Sequence, residues 1–220
     1  MVYPYALKNE LMVAAMPAKN TNKIVKTLKK LFPQTVAGSN VLQTSLECPN
    51  VSVHTVPALL NVGWWERMHG DLSFWGDLIS PSVGRVMDGQ EEEKIAVAKA
   101  LGVNIIPGPE VEKRIYGHMG ARGDKFEGFH WMESHKGWRP CLGICDPRFI
   151  LHEDIPYGLV PLSSLGKMLG VPTPTIDALI HIASLVCKVD YKKIGLTVEK
   201  LGLAGMTAKQ IVNYVTTGNK

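Results

Sequence analysis

One histidine, His54, lies just ahead of an apolar helical segment, with the amide side chains of Asn50 and Asn61 on either side of it in sequence. A neutral imidazole beside a substrate is a common choice for proton transfer near neutral pH. A histidine among valines is equally well explained as a buried core residue, and the sequence alone leaves both interpretations open. The two amides favour a polar pocket, which makes His54 a candidate catalytic residue and Asn50 and Asn61 candidate substrate-binding residues.

A second group of charged residues, Arg148, Glu153 and Asp154, can act together with this histidine. The planar guanidinium of arginine binds a carboxylate through two parallel hydrogen bonds, and a carboxylate can fix the tautomer of a histidine. The alternative is an exposed ion pair beside acidic residues at a helix N-terminus. Only proximity to His54 in space distinguishes these cases.

The composition indicates a globular protein, because 45% of the 220 residues are hydrophobic and 20% are charged. A chain of this length can bury one sizeable core, or form a large domain with a small appendage. The longest stretch without Asp, Glu, Lys or Arg, residues 48–65, contains prolines, asparagines and His54. It therefore suits a buried polar site better than a membrane helix. The first residues show no basic segment followed by an apolar one, so we expect a cytoplasmic protein with no membrane partner.

Charge and cysteine content argue against two further classes of function. The net charge of +4 is small and scattered along the chain, which argues against a nucleic-acid partner. The four cysteines are few and irregularly spaced, as expected for reduced thiols. Cys141 and Cys145 lie near three histidines in the sequence: His130, His135 and His152. The three residues between the two cysteines match no standard spacing of zinc ligands. We therefore predict no metal site.

Residues 1–38 have the pattern of the end of a larger α/β domain. Residues 11–16 form a short, unbroken apolar run, typical of a strand that is covered on both faces in a parallel sheet. A helix is predicted after it from the spacing of apolar residues between 24 and 31, and residues 2–7 and 35–37 are further strand candidates. Three short strands make a poor sheet on their own, so the apolar run needs neighbours.

Beyond residue 39 the pattern is helical. Capping residues, first-turn prolines and C-terminal glycines predict helices over 80–101, 110–116, 157–169, 175–187, 190–201 and 207–217. The third of these should begin at the acids and proline of residues 153–156. Residues 117–147 are rich in Gly, Trp, His and charge, which predicts an ordered but irregular loop of the kind that often carries function.

The sequence lacks the glycine turns that bind nucleotide phosphates. No two of its 21 glycines are separated by a single residue, which rules out the G-x-G-x-x-G turn of dinucleotide-binding domains, and no P-loop occurs. The glycine-rich residues 117–123 are not preceded by a strand pattern and indicate a loop. The residues thus suit acid/base chemistry, but they offer no place to bind the cofactor that such chemistry would use.

Four sequence blocks in this order resemble the octopine/nopaline, or opine, dehydrogenases. The blocks are residues 4–6 (PYA), 41–46 (VLQTSL), 50–61 (NVSVHTVPALLN), and 153–162 (EDIPYGLVPL) with 169–174 (LGVPTP). The resemblance covers nearly the whole chain. It implies a mainly α fold: residues 39–220 as an all-helical domain similar to that of 6-phosphogluconate dehydrogenase, after a remnant of a Rossmann sheet in residues 1–38.

This resemblance also implies a reaction and a partner. Members of the family use NAD or NADP to condense an amino acid with a 2-oxo acid and reduce the imine. In this chain His54 matches their catalytic histidine and Asp154 its carboxylate partner. We therefore predict that Asp154 lies within direct or water-mediated hydrogen-bonding distance of His54, because a catalytic imidazole usually needs a second group to fix its tautomer. Arg148 resembles the arginine that holds a substrate carboxylate, although one extra residue separates it from the acid pair. The nucleotide would be bound mainly by a Rossmann domain that this chain lacks and that a separate chain would supply. A homo-oligomer is a further possible assembly.

Two alternatives remain open at this point. One is a non-enzymatic helical fragment or interaction module derived from such an enzyme. The other is a 2-hydroxyacid or ketopantoate reductase type that shares the helical domain, which the blocks at 50–61 and 153–174 argue against.

Overall fold

A short parallel sheet forms the N-terminal part of the computed structural model, which describes residues 7–69, 71–117 and 148–220. Strand β1 (Leu11–Val13) pairs with β2 (Thr35–Ala37), with Leu11 opposite Thr35 and Val13 opposite Ala37. A 3₁₀ turn (Ala18–Asn20) and helix α1 (Thr21–Leu28) connect the two strands. The predicted strand within residues 11–16 is thus present, but it is regular over three residues only. Residues 2–6 of the other strand candidate lie outside the described part of the chain.

This sheet is poorly covered by the rest of the described chain. All three residues of β1 are half-buried, and Met16 just beyond it is exposed. Leu31 is 75% exposed and Phe32 is also exposed. Exposed apolar side chains next to the sheet fit the prediction that it needs further strands or helices to cover it. The division of the chain into two domains at residue 38 stays a prediction.

The remainder is helical, which confirms the predicted fold class. The helices are α2 (Val41–Leu46), α3 (Asn50–Leu60), α4 (Val62–Arg67), α5 (Phe74–Asp77), α6 (Pro81–Leu101), α7 (Gly108–Tyr116), α8 (Arg148–Asp154), α9 (Val160–Leu169), α10 (Pro174–Cys187), α11 (Tyr191–Ile194) and α12 (Ala208–Thr217). A π-helical turn (Ile155–Leu159) joins α8 to α9 without a break. None of the helices in the described ranges has both the length and the apolarity needed to cross a lipid bilayer.

Several helix ends lie where the capping residues predict them. The Ser80 hydroxyl accepts a hydrogen bond from the Val83 N–H at the start of α6, and Gly102 ends that helix in a left-handed conformation with φ 74°. At the start of α12, Thr207 and Gln210 form the predicted capping box.

Two predicted boundaries are wrong, and Pro156 is involved at both places. The helix expected to start at 153–156 already runs from Arg148 and continues through Pro156. Proline lacks the N–H that an α-helix requires, and the wider π turn accommodates it. The Pro156 carbonyl instead accepts a hydrogen bond from the Leu196 N–H at 2.9 Å, which draws the backbone out of helical geometry after α11. The helix predicted over 190–201 is therefore confined to Tyr191–Ile194.

Helix α3 packs against α8 and the π turn at close range, because Gly158 has no side chain. A Cβ atom at this position would lie 2.8 Å from Cγ2 of Val51 in α3. Fully buried residues surround this contact, among them Val56 of α3, Leu151 of α8 and Ile155 of the π turn. The close approach sets the distance between the side chains that α3 and α8 present to each other.

We expect Gly158→Ala to destabilise the fold by about 1–2 kcal/mol, because the overpacking cost against Val51 exceeds the helix-propensity gain of alanine. The matched control is Gly63→Ala in α4, where the added Cβ would meet no atom within 4 Å apart from the adjacent backbone of its own helix. That variant should be neutral or slightly stabilising. Urea denaturation of both variants measures the difference, and equal midpoints would show that α3 and α8 can move apart freely.

Candidate active site

His54 lies on a helix that is otherwise almost completely buried. The α3 residues 51–53 and 55–59 are all buried. The side chain of His54 is 24% exposed, so its ring lies where the helix reaches solvent. A histidine in this position is held by a rigid element and is still accessible to a small molecule.

The predicted contact between His54 and Asp154 is present. Nδ1 of His54 lies 3.0 Å from Oδ2 of Asp154, the last residue of α8, whose side chain is 13% exposed. A carboxylate at Nδ1 favours the tautomer that carries a hydrogen on this nitrogen. Nε2 is then the atom available for proton exchange with a substrate. Within the described ranges, Asp154 is the one hydrogen-bonding partner of the ring.

Two aromatic residues on α5, Phe74 and Trp75, flank the imidazole. The ring centroids lie 6.2 Å from His54 for Phe74 and 5.7 Å for Trp75, and the two aromatic rings are 4.9 Å apart. They shield one side of the imidazole from water and strengthen its interaction with Asp154.

This aromatic pair was not among the candidate site residues predicted from the sequence. The sequence feature that could have predicted it is the capping residue Ser73. The Ser73 hydroxyl accepts a hydrogen bond from the Gly76 N–H, and the Ser73 N–H donates one to the Asp77 carboxylate. A cap directly before adjacent aromatic residues indicates a short helix with an apolar face. Two other tryptophans take no part in this pair: Trp64 is exposed on α4, and Trp65 packs against the core.

The two asparagines differ in their surroundings. The Asn61 side-chain amide donates hydrogen bonds to the carbonyls of Pro57 and Leu78, both at 2.9 Å. Both of its N–H groups therefore serve to fix the end of α3, and only the amide oxygen is left for a substrate. Asn50 is exposed at the start of α3, one helical turn before His54. Substrate binding by Asn50 and Asn61 stays a prediction.

Arg148 is at the start of α8, about two helical turns from Asp154. Its Nη1 lies 3.4 Å from Oε1 of Glu66 in α4, and the two side chains are 42% and 56% exposed. An exposed ion pair of this kind contributes little to stability, so a substrate carboxylate can compete with Glu66 for the guanidinium. The predicted role of Arg148 as a carboxylate ligand stays a prediction.

If Arg148 binds a carboxylate, Arg148→Lys should weaken the rise in melting temperature that pyruvate or another 2-oxo acid causes. Lysine offers a point charge in place of the two parallel hydrogen bonds of a guanidinium. Thermal denaturation with increasing 2-oxo acid measures the effect, and Arg85→Lys on the exposed face of α6 is the control. An unchanged response in Arg148→Lys would assign the role to another cation, with Lys136 and Arg139 as the alternatives that the sequence offers.

A buried polar network holds α3 from the side of α6. The Glu91 carboxylate accepts hydrogen bonds from the Ser52 hydroxyl at 2.9 Å and from the Gly108 N–H at 2.8 Å. Nζ of Lys94 lies 2.8 Å from the same carboxylate, and the side chains of Lys94 and Glu91 are 1% and 0% exposed. Gln90 adds a hydrogen bond to the Val51 carbonyl at 2.9 Å. This network fixes the turn of α3 that precedes His54.

A cavity of about 640 Å³ lies beside this network. Asp154, Glu153 and Lys94 line it together with aliphatic residues from α2, α3, α9 and the C-terminal segment. Asp154 thus contacts His54 and also forms part of the cavity wall. The volume falls within the range of small-molecule sites.

No group of three or more potential metal ligands occurs within residues 7–69, 71–117 and 148–220. His152 contacts a tyrosine instead, with its Nδ1 2.8 Å from the Tyr191 hydroxyl. Burial raises the pKa of Tyr191 well above its usual value, and a hydrogen bond with Cys187 raises it further. Cys141, Cys145, His130 and His135 lie outside these ranges, so the absence of a metal site stays a prediction.

Comparisons with known proteins agree on one family. A family model described as the alpha-helical domain of NAD/NADP octopine/nopaline dehydrogenase matches residues 37–187. An opine dehydrogenase from Arthrobacter sp. (strain 1C) is 35% identical over 210 residues, which are 96% of this chain and 57% of that protein.

The fold also matches a solved structure of octopine dehydrogenase with NADH and L-arginine, at a TM-score of 0.63 and 18% identity. That match covers 89% of this chain and 54% of the solved one. The chain therefore spans little more than half the length of these relatives.

Proposed function

The chain belongs to the octopine/nopaline dehydrogenase family, and from this we propose that it forms the acid/base part of an oxidoreductase that condenses an amino acid with a 2-oxo acid. The observation that carries the proposal is the contact between His54 and Asp154 at 3.0 Å. It joins two blocks that lie far apart in sequence and places a partly exposed imidazole beside a carboxylate. This geometry suits proton transfer to and from a small polar substrate.

The part of the chain that the structure describes does not fit a dinucleotide at the turn between β1 and α1. In the described residues β1 leads into α1 through residues 14–20, which contain no glycine, and α1 has no side-chain cap at its N-terminus. A pyrophosphate requires a close backbone approach at a helix N-terminus, which a glycine turn normally provides. NAD or NADP would therefore be bound mainly by a Rossmann domain supplied separately, and only the proton transfers are assigned to this chain.

His54 would act as acid in the synthetic direction. As an imidazolium held by Asp154, it would donate a hydrogen bond from Nε2 to the 2-oxo oxygen while the neutral amine adds to the carbonyl carbon. The proton that the amine loses would pass to this oxygen and give the carbinolamine. The imidazolium would then protonate the departing hydroxyl of the carbinolamine, so that water leaves and an imine forms. In the opposite direction the neutral ring would accept the proton of the secondary amine. Arg148 would orient the 2-oxo acid through its carboxylate.

Reconstitution tests the proposed function. The chain is coexpressed with the portion of the Arthrobacter opine dehydrogenase that it does not match, and oxidation of NADH and NADPH is followed with pyruvate and a series of L-amino acids. Turnover that requires both halves, an amino acid and pyruvate would support the proposal. A stable complex without turnover on any pair would favour the alternative of a non-enzymatic helical module.

A further inference from the structure

We propose that residues 191–196, a segment we call the brace, position the Asp154 carboxylate for its contact with His54, and that they act through the Tyr191 hydroxyl. The inference rests on the proposed function, because it assigns a positioning residue to the same acid/base pair. It starts from a side chain that the proton transfers do not use. Tyr191 is fully buried and lies on α11, outside both helices of the pair.

The brace contacts α8 on the side that faces away from His54. His152 and Asp154 are two residues apart in α8, which corresponds to a rotation of about 200° around the helix axis. On one side, Oδ2 of Asp154 lies 3.0 Å from Nδ1 of His54. On the other side, Nδ1 of His152 lies 2.8 Å from the Tyr191 hydroxyl. Helix α8 is therefore held between two side-chain contacts on nearly opposite faces.

The Tyr191 hydroxyl keeps its proton and can donate it in this contact. Burial raises the pKa of Tyr191 well above its usual value, so the phenol is not ionised near neutral pH. Nδ1 of a neutral His152 ring then accepts the hydrogen bond. Because the tyrosine end of this bond is fixed in the core, the bond limits the rotation of α8 about its own axis.

The backbone of the brace adds two contacts along the same side. The Leu196 N–H donates to the carbonyl of Pro156 at 2.9 Å, and Pro156 lies in the π turn that begins directly after Asp154. A Cβ atom on Gly195 would lie 2.7 Å from Cγ1 of Val160, so only a glycine permits this close approach. The three contacts follow one another at four-residue intervals and fix α8, the π turn and the start of α9 together.

The brace is itself fixed to neighbouring residues of the C-terminal segment. The Asp190 carboxylate caps α11 and accepts a hydrogen bond from the Lys193 N–H at 3.0 Å. Nζ of Lys200 donates hydrogen bonds to the carbonyls of Lys193 and Gly195, at 2.6 and 2.9 Å. A segment held in this way can keep α8 in place while the His54 ring gains or loses a proton.

A positioning role and a purely structural role have different consequences for His54. If the brace only stabilised the fold, loss of its hydrogen bond to α8 would lower the melting temperature and leave the His54 ring unchanged. If it positions Asp154, the same loss would weaken the contact at Nδ1. The neutral ring would then carry its proton on Nε2 in a larger fraction of molecules.

The tautomer of His54 in the full 220-residue chain tests the proposal without any nucleotide. Nitrogen NMR spectra of chain labelled with ¹⁵N-histidine are recorded well above the usual pKa of imidazole, and the His54 signals are those missing in His54→Gln. Every sample carries Leu31→Lys, because Leu31 is 75% exposed and favours association. Asp154→Ala gives the reference signals of a ring without its partner. We expect Tyr191→Phe to move the two nitrogen signals of His54 towards this reference.

Two further variants separate positioning from stability. His152→Ala removes the same hydrogen bond from its exposed end, so it protects the test if Tyr191→Phe does not fold. It should move the His54 signals in the same direction, and the double variant should add nothing further, since both changes remove one bond. Ile211→Val removes a buried methyl group on α12 and should lower the melting temperature without moving these signals. Unchanged His54 signals in folded Tyr191→Phe or His152→Ala would overturn the proposal.

Kinetics of the reconstituted enzyme give a second readout. Tyr191→Phe should lower kcat by about threefold to tenfold and leave KM for the amino acid and the 2-oxo acid nearly unchanged, because misplacing Asp154 affects the proton transfers and not substrate binding. Ile211→Val should have normal kcat. A normal kcat in Tyr191→Phe would overturn the positioning role while leaving the proposed function intact. Shifted His54 signals in a chain that gives no turnover with any partner half would support the brace and refute only the proposed function.

Discussion

Replacing His54 by glutamine is expected to lower the turnover of the reconstituted enzyme by about two to four orders of magnitude, the usual contribution of a positioned acid/base group. The glutamine amide can still hydrogen-bond to Asp154. Unlike an imidazole, it cannot give a proton to a substrate or accept one from it. Steady-state kinetics with saturating amino acid, 2-oxo acid and nucleotide measure the loss in kcat.

The control for this variant is His181→Gln, the same substitution at an exposed position on α10. It should have the activity of the unaltered protein. The complex between the two halves and its melting temperature should be unchanged in His54→Gln, since the side chain is partly exposed and its loss leaves no large cavity. A His54→Gln enzyme with normal kcat would return His54 to the role of a core residue.

The isolated chain is expected to show no turnover with NADH or NADPH for any pair of amino acid and 2-oxo acid. It lacks the glycine turn that binds a pyrophosphate, and its sheet has only the two strands β1 and β2 in the described residues. The strand edges and the exposed apolar side chains of Met16, Leu31 and Phe32 should also make the chain self-associate. Light scattering after gel filtration measures association, and a spectrophotometric assay measures turnover.

Adding the separately expressed partner half should reverse both properties. Binding to the folded state raises the melting temperature by mass action, and covering the sheet should replace self-association by a defined complex. Leu31→Lys, which places a charge on this surface, should reduce self-association without restoring turnover. Steady turnover by the isolated chain at ordinary cofactor concentrations would refute the need for a second domain and reveal a nucleotide site elsewhere in the chain.

Local signals explain which helices the sequence predicts well. Ser80 with Pro81 and Gly102 delimit α6, and Thr207 with Gln210 begins α12, because these caps act over a few residues of backbone. The π turn at Ile155–Leu159 could not be predicted in this way. It depends on a carbonyl of Pro156 that finds its donor at Leu196, a contact between distant segments.

The candidate site shows the same division. The contact of His54 with Asp154 could be predicted because each residue lies in a block that resembles the family. The role of Glu91 and Lys94 could not, since acids and a lysine at helical spacing usually indicate a solvated face. They are buried here because Ser52 on α3 and the Gly108 N–H at the start of α7 supply hydrogen bonds. Only the tertiary structure brings these partners together.

The most direct test of the central claim is the pH dependence of the reconstituted enzyme in both reaction directions. If His54 is the acid in synthesis and the base in oxidation, kcat/KM for the 2-oxo acid should fall on the alkaline side of the profile for the reductive condensation, where the attacking amine is increasingly neutral. For oxidation of the secondary amine, kcat/KM should rise with pH. His54→Gln should remove both dependences, and Asp154→Asn should reduce turnover in both directions because the ring loses its orienting carboxylate. Identical pH profiles for the unaltered enzyme and His54→Gln would contradict the assignment of His54 and Asp154 as the acid/base pair.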